Sequence, residues 1–293
     1  MIVVSINGGL ANQMFQYAFS LYLKNKGLDV FLDQINFKPR ACMTCETTKL
    51  QDVFMNVDIR NMPIGKFPLV WWKRRWNFLR KIAIIWGDKY IDEPSFKYYP
   101  NIYKKASKNC IFKGSWQCAK YFEDISDIVR NDFEFKPFTD IRNIELEMKM
   151  QQENSIAIHV RKGKDYTTEF LLQNTCDLNY FRRAIQYIKL HVKSPVFYVF
   201  TDNPEWVKEN LTMISYILVD WNPVSGKNNY LDMQLMSCAK HNIISNSTYS
   251  WWGAWLNRNK DKIVIGPSDW FNPQMKLKMY DGNQIIPDNW IKI

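Results

Sequence analysis

The sequence predicts an α/β fold built from two halves, each holding a parallel, doubly wound sheet, with a cleft between them. Three observations carry this expectation. The first is a strand, turn, helix, strand run over residues 1–33 with a glycine pair in its first turn. The second is the regular alternation of strand and helix signals from Ser155 onward, with helices long enough to cross over a parallel sheet. The third is the polar stretch from Thr139 to Asn154, which reads as a surface helix between the halves. It places a boundary near residue 145, giving units of 1–145 and 146–293.

Met1 to Ile6 is apolar and β-branched enough for a buried strand, and Asn7 to Gln13 is polar and glycine-containing, as a loop would be. Met14 to Lys26 then has helical spacing and stops at Gly27, after which Leu28 to Asp33 resumes as a strand. The glycine turn lacks the G-x-G-x-x-G dinucleotide pattern, so Gly8-Gly9 alone is equally a plain tight turn. Asp52 to Ile141 is less regular. In the second half the expected strands are Ser155–Val160, Val196–Thr201, Tyr216–Val219, Asn242–Ser245 and Lys262–Ile265. The expected helices are Leu178–His191, Glu205–Leu211, Tyr230–Lys240 and Trp251–Asn257.

The chemistry concentrates at the ends of these strands. Ile244 to Leu256 runs from an apolar strand through Asn246, Ser247, Thr248 and Ser250 into an aromatic helix start. Hydroxyls, an amide and free helix N–H groups then converge, a combination that suits phosphate. A hydroxyl-rich N-cap before a buried aromatic helix reads the same way. Ser155 to Tyr166 ends a strand in His159, Arg161 and a basic cluster, and binding groups collect at such ends. Arg161 has the planar fork that clamps phosphate oxygens, or it makes a structural ion pair. Asp232 either sits near a helix start to interact with its dipole or accepts the paired N–H donors of a base. Asp202 reads as a cap for the helix after Pro204.

Four segments in order resemble the bacterial α-1,2-fucosyltransferase family over nearly the whole chain. They are Gly8-Gly9-Leu10-Ala11-Asn12-Gln13-Met14-Phe15-Gln16-Tyr17-Ala18, His159-Val160-Arg161, Phe200-Thr201-Asp202-Asn203-Pro204-Glu205-Trp206, and Ser245-Asn246-Ser247-Thr248-Tyr249-Ser250-Trp251-Trp252-Gly253. The family commonly reads His-x-Arg-Arg-Gly-Asp-Tyr. Here Lys162 takes the second Arg place and Lys164 stands before Asp165-Tyr166. The resemblance implies a GT-B-like arrangement of two Rossmann-like halves, with the donor nucleotide on the C-terminal half. It implies transfer of fucose from GDP-fucose, with inversion, to a galactose-terminated glycan. It also places His159, Ser247, Thr248 and Ser250 at the nucleotide, with Asp232 on the guanine and Arg161 and Asp165 as catalytic residues. Gly8, Gly9, Asn12 and Gln13 would complete the cleft floor. No metal or other cofactor is expected, because no two aspartates stand two residues apart and protein cations can neutralise the leaving diphosphate.

Composition bounds the alternatives. A chain of 293 residues with 46% hydrophobic content buries a substantial core. A net charge of +10 and a pI near 9.2 favour an anionic partner, whether nucleotide-sugar, anionic lipid surface or nucleic acid. No nucleic-acid-binding module is recognisable, so nucleic acid is not expected. The basic, tryptophan-rich run from Trp71 to Trp86 reads either as an interfacial helix giving peripheral membrane contact or as a core helix with a basic rim. With no run of eighteen apolar residues and no secretory pattern at Met1, the expected location is cytoplasmic, with peripheral contact at the inner face of the membrane through that segment as the alternative to a core helix. Six cysteines without scaffold density suit a reducing setting, and Cys42 and Cys45 lack the partners of a zinc site.

Overall fold

The structure, a computed structural model, describes residues 1–34, 48–61, 89–163, 166, 168–275 and 281–293. Two all-parallel sheets organise it. The N-terminal sheet holds β1 (Ile2–Ser5), β2 (Val30–Asp33), β3 (Lys89–Asp92) and β4 (Cys110–Lys113) in the order β2-β1-β4-β3. The C-terminal sheet holds β5 (Ser155–Val160), β6 (Val196–Thr201), β7 (Tyr216–Val219), β8 (His241–Ile243), β9 (Val264–Gly266) and β10 (Ile291–Lys292) in the order β10-β9-β8-β5-β6-β7. Registers such as Ile2↔Val30 and His159↔Phe200 fix the pairing. The expected two-sheet α/β architecture is therefore present, and β3 and β4 supply order in a region expected to be irregular.

Helix α1 (Leu10–Asn25) begins four residues earlier than its spacing suggested. Gly9 takes the N-cap and its carbonyl accepts the N–H groups of Asn12 at 3.0 Å and Gln13 at 3.1 Å. Asn12 and Gln13 thus stand in the first helical turn, not in a loop. At the other end Gly27, with φ +82°, provides the left-handed residue that stops the helix. After α2 (Leu50–Val53) and α3 (Ser126–Asp132), helix α4 (Ile141–Gln152) leads into β5, its N-cap Asp140 accepting the Arg142 N–H.

The second half continues with α5 (Leu178–His191), α6 (Pro204–Asn210), α7 (Leu231–Cys238) and α8 (Thr248–Leu256). Side-chain alternation along the strands sends the two faces of the C-terminal sheet to different cores. Ile156, Ile158, Phe197 and Val199 pack with Tyr180, Phe181, Ile185 and Ile188 of α5. Ala157, Tyr198 and Phe200 join the other cluster, which also contains the core of the N-terminal half.

Helices α1 and α8 form the seam between the halves. Phe15 lies with its ring centroid 4.6 Å from Trp251 and 4.8 Å from Trp252, and Trp252 Nε1 donates to the Ala11 carbonyl at 3.0 Å. Gly253 allows α7 to pack closely, because a Cβ there would stand 3.0 Å from Met236 Cβ. Aromatic pairs of this kind add about 0.5–1.5 kcal/mol beyond their buried area. The tryptophans that follow the hydroxyl-rich loop are therefore the joint that holds that loop against the N-terminal half.

Candidate functional site

In each sheet the strand order reverses at one place, between β1 and β4 in the first and between β5 and β8 in the second. Ligands of open parallel sheets bind outside the carboxyl ends of the strands at such points. The Asn7-Gly8-Gly9 turn follows β1, the Gly114–Gln117 turn follows β4, His159 to Arg161 end β5, and Ser245 to Thr248 follow β8. Three of the four recognised segments thus begin at the two reversal points. The helices that leave them, α1 and α8, pack on each other.

Ser245 joins β5 to the hydroxyl-rich loop. Its Oγ donates to the His159 carbonyl at 2.6 Å and accepts the Arg161 N–H at 3.3 Å. The His159 ring is buried, its Nδ1 has no partner, and its centroid lies 5.8 Å from the Tyr249 ring. Burial, helped by the Arg161 charge, drives the His159 pKa down to about 3. The ring is therefore neutral at physiological pH.

Asp202 does not cap the helix after Pro204. Asn203 does, its Oδ1 accepting the Trp206 N–H at 3.1 Å. Asp202 Oδ1 instead accepts the N–H groups of Lys162 at 2.7 Å and Gly163 at 2.9 Å, which fixes the chain just after Arg161. The Lys162 ammonium lies over the Tyr166 and Trp206 rings at 4.7 and 5.2 Å, and burial lowers its pKa. Asp165 and Lys164 lie outside the described residues, as do Cys42, Cys45 and the Trp71 to Trp86 run.

The loop residues divide by direction. Asn246 is turned inward, with Nδ2 donating to the carbonyls of Leu172 and Trp270 at 3.0 and 3.1 Å and its Oδ1 unpartnered. Ser250 is also turned inward, its Oγ lying 3.2 Å from the Ser247 carbonyl. These two side chains shape the loop. Ser247 occupies the N-cap of α8 without a side-chain cap bond, so its hydroxyl does not take up the first-turn N–H groups. Thr248 is half-buried beside it.

Asp232 stands in the first turn of α7, where no side chain caps the helix. Its Oδ1 accepts Asn222 Nδ2 at 2.8 Å, and Asn222 is paired with Asn143, which also accepts Trp221 Nε1 at 2.8 Å. Burial raises the Asp232 pKa to about 6 against the lowering effect of the Asn222 bond. Its charge acts on Tyr249, whose hydroxyl accepts the Met233 N–H at 2.8 Å and donates to the Asn229 carbonyl at 2.6 Å. Asp232 therefore belongs to the same neighbourhood as the hydroxyl-rich loop.

The glycine turn connects to this neighbourhood through buried amides. Gly8 has φ +84°, which its lack of a side chain permits, and the space beside Gly9 is open. Gln13 Nε2 donates to the Thr48 carbonyl at 2.9 Å, and Thr48 Oγ1 donates to the Gly226 carbonyl at 3.0 Å across to the second half. Asn12 Oδ1 accepts Gln117 Nε2 at 3.1 Å. Behind that turn Glu93 Oε2 accepts the N–H groups of Ser115 and Trp116 at 2.6 and 3.0 Å, holding Trp116 at φ +54°. Burial pushes the Glu93 carboxyl up to about 7 despite those two bonds. Sequence patterning had singled out neither Glu93 nor Thr48, because each acts through contacts distant in the chain.

Among the described residues, no three His, Cys, Asp or Glu side chains form a metal-holding group, and no helix is long and apolar enough to cross a membrane. Comparison with known proteins gives a consistent result. The family described as Glycosyl transferase family 11 matches residues 1–293. An alpha-1,2-colitosyltransferase of Escherichia coli is 31% identical, the match covering 100% of this chain and 98% of that one. The O-antigen biosynthesis glycosyltransferase WbnK of Escherichia coli is also 31% identical, over 98% of this chain and 99% of that one. Among solved structures, the fucosyltransferase NodZ from Bradyrhizobium superposes with a TM-score of 0.51 at 16% identity, covering 86% of this chain and 91% of that one.

Proposed function

Because the chain belongs to glycosyl transferase family 11 over its whole length, we propose that it is a galactoside α-1,2-fucosyltransferase acting in oligosaccharide or O-antigen biosynthesis. In this reading it moves L-fucose from GDP-fucose to the 2-hydroxyl of a terminal galactose, with inversion at the anomeric carbon. Glycosyltransferase activity and a GT-B-like fold come with the family. The identity of the sugar, acceptor and linkage is the reading's own. The E. coli relative named for α-1,2 transfer supports the linkage, and the one named for O-antigen biosynthesis supports the setting.

The observation that carries the reading is the convergence of His159, Arg161 and the start of α8 at the reversal point of the C-terminal sheet. When the acceptor oxygen attacks the anomeric carbon, the bond to the β-phosphate breaks and negative charge gathers on the departing GDP. The Arg161 guanidinium, the Ser247 and Thr248 hydroxyls and the first-turn N–H groups of α8 neutralise it without metal. Asp232 accepts the donors of guanine, and neutral His159 supplies a further hydrogen bond to the nucleotide. Asp165, close after Arg161 in the chain, takes the acceptor's proton. Residues 146–293 form the donor side and 1–145 the acceptor side, with Gly8, Gly9, Asn12 and Gln13 at the floor between them.

One relative's name favours a second reading in which the transferred sugar is colitose, a fucose lacking one ring hydroxyl. A site built to hydrogen-bond that hydroxyl discriminates strongly against a sugar lacking it. Incubation with GDP-fucose or the colitose donor and a β-galactoside, followed by mass spectrometry and linkage analysis, decides between them. A fucosyl product at the galactose 2-position is expected. A product linked at the 3- or 6-position, or equal use of UDP- and GDP-sugars, overturns the proposal.

A further inference from the structure

The chain from Asn222 to Asn229 lies between β7 and α7 and touches Asp232, yet none of its apolar side chains is buried. Pro223, Val224, Ser225, Lys227 and Asn228 are all exposed, Val224 by 65%. Without buried apolar side chains, a loop's position depends on its hydrogen bonds. At the start of the loop Asn222 is buried, and its Nδ2 donates to Asp232 Oδ1 at 2.8 Å and to Asn143 Oδ1 at 3.1 Å. At the end the Asn229 carbonyl accepts the Tyr249 hydroxyl at 2.6 Å, and that hydroxyl oxygen accepts the Met233 N–H of α7 at 2.8 Å. The middle of the loop is held from the other half of the molecule.

Thr48, just before α2, is 3% exposed. Its Oγ1 stands 3.0 Å from the Gly226 carbonyl, 3.3 Å from that of Lys227 and 3.4 Å from Asn229 Oδ1. A hydroxyl has one hydrogen to give, so the shortest of these, to Gly226, is the principal bond. Gly226 meets it in a turn with φ +83°, a conformation open to glycine. On its other side the Thr48 carbonyl accepts Gln13 Nε2 at 2.9 Å, which anchors the residue to the first turn of α1. A continuous tie therefore runs from the helix after β1 to the middle of the loop before α7.

The position of the loop is felt at its two ends. Asn222 binds one oxygen of the Asp232 carboxylate, and Asn229 binds Tyr249, which neighbours both Asp232 and His159. Recognition of a base by a carboxylate depends on direction, because a hydrogen bond weakens steeply as it leaves its axis. The chain at Arg161 is held differently. Its N–H donates to Ser245 Oγ, and Asp202 accepts the two N–H groups that follow. A displaced loop would therefore disturb the base-binding end of the donor site and spare the end where the diphosphate leaves.

We infer that Thr48 is a positioning residue for donor recognition: from the N-terminal half it fixes residues 226–229, and that loop aims the Asp232 carboxylate at the nucleotide base. The inference rests on the proposed role of Asp232 in guanine recognition. Calorimetric titration of the full chain with GDP and with ADP, together with steady-state kinetics in GDP-fucose, tests it. Thr48→Val removes the hydroxyl and keeps the side chain's size and the backbone carbonyl that Gln13 uses. It should weaken GDP binding about tenfold, as the loss of one buried hydrogen bond does, and change ADP binding little. The KM for GDP-fucose should rise with it while kcat stays within about twofold. Thr48→Ser, which keeps the hydroxyl, should behave as wild type. Tyr249→Phe releases the same loop from its end, so it should show the same loss, and it carries the test should Thr48→Val fail to fold. In the double variant the loss should fall short of the product of the two single losses, since both act through one loop. A Thr48→Val protein with a lower melting temperature but an unchanged preference for GDP over ADP overturns the inference. Multiplicative losses in the double variant, or Thr48→Ser as impaired as Thr48→Val, also overturn it. Wild type that binds ADP as tightly as GDP overturns the guanine reading and this inference together. A guanine preference abolished in Asp232→Asn and intact in Thr48→Val overturns this inference alone.

Discussion

If Asp232 receives the N–H donors of guanine, donor affinity must follow its ionisation. Burial sets its pKa at about 6, so about nine-tenths of the free protein carries the carboxylate at pH 7 and about one-eleventh at pH 5. Affinity for GDP-fucose should therefore fall about tenfold between those values. GDP-fucose suits the assay better than GDP, whose terminal phosphate itself titrates in this range. His159 does not confuse the result, since its pKa of about 3 lies below the window. Asp232→Asn should flatten the profile and weaken binding about ten- to a hundredfold, because charge-assisted bonds are lost and the new amide turns a donor toward the base's donors. Discrimination against ADP- and UDP-sugars should shrink with it. Titration calorimetry from pH 5 to 7 measures both effects. A flat wild-type profile, or Asp232→Asn with full guanine preference, would refute the assignment and leave the carboxylate as a partner of Asn222 alone.

Arg161→Ala and Arg161→Lys should each lower turnover by about two orders of magnitude with little change in melting temperature, because a point charge does not replace a bidentate clamp; near-normal turnover in the lysine variant would remove Arg161 from the leaving-group site. Turnover in excess EDTA should equal that without it, and loss restored by magnesium or manganese would show that a metal carries the diphosphate charge. Glu93 gives a stability prediction. Its folded pKa of about 7 lies above the ordinary 4.5, so its favourable contribution is present below pH 4.5 and is lost as pH rises through 7. That loss is roughly 3 kcal/mol between pH 4 and 8. Urea unfolding of wild type and Glu93→Gln across this range should give curves whose difference grows with pH, and parallel curves would reject the burial argument.

The parallel sheets were legible in the sequence wherever apolar strands alternated with amphipathic helices, as from β5 through α8. Their limits were less so. Helix α1 starts at Leu10 because the Gly9 carbonyl begins the hydrogen-bond ladder, and α8 starts at Thr248, so hydroxyl residues expected in a loop stand in a first turn. Strands β3 and β4 are joined through only a short helical turn at Ile102–Lys105, so no strand-helix alternation announced them. Motif order located Arg161, His159 and the loop after β8. It did not reveal side-chain direction, which depends on contacts such as those of Asn246 with Leu172 and Trp270. Asp202 shows the same limit, since its position before Pro204 suggests a cap while its carboxylate holds the backbone after Arg161.

Those inward-facing side chains bear on how a loop so rich in hydroxyls would receive the diphosphate in the proposed reaction. Ser245, Asn246 and Ser250 spend their hydrogen bonds on carbonyls and N–H groups of the protein, which fixes the backbone between β8 and α8. A fixed backbone presents its N–H groups without reorganisation when charge develops, and preorganised donors stabilise a leaving group more than mobile hydroxyls do. The tryptophans that follow then hold the helix against α1, so the turn after β1 and the loop after β8 keep their relation as the two halves meet. In the proposed reaction only the first turn of α8 meets the diphosphate, and the tryptophans behind it bind nothing themselves. Those tryptophans tie the N-terminal half to the loop after β8, where the proposed reaction places the leaving diphosphate.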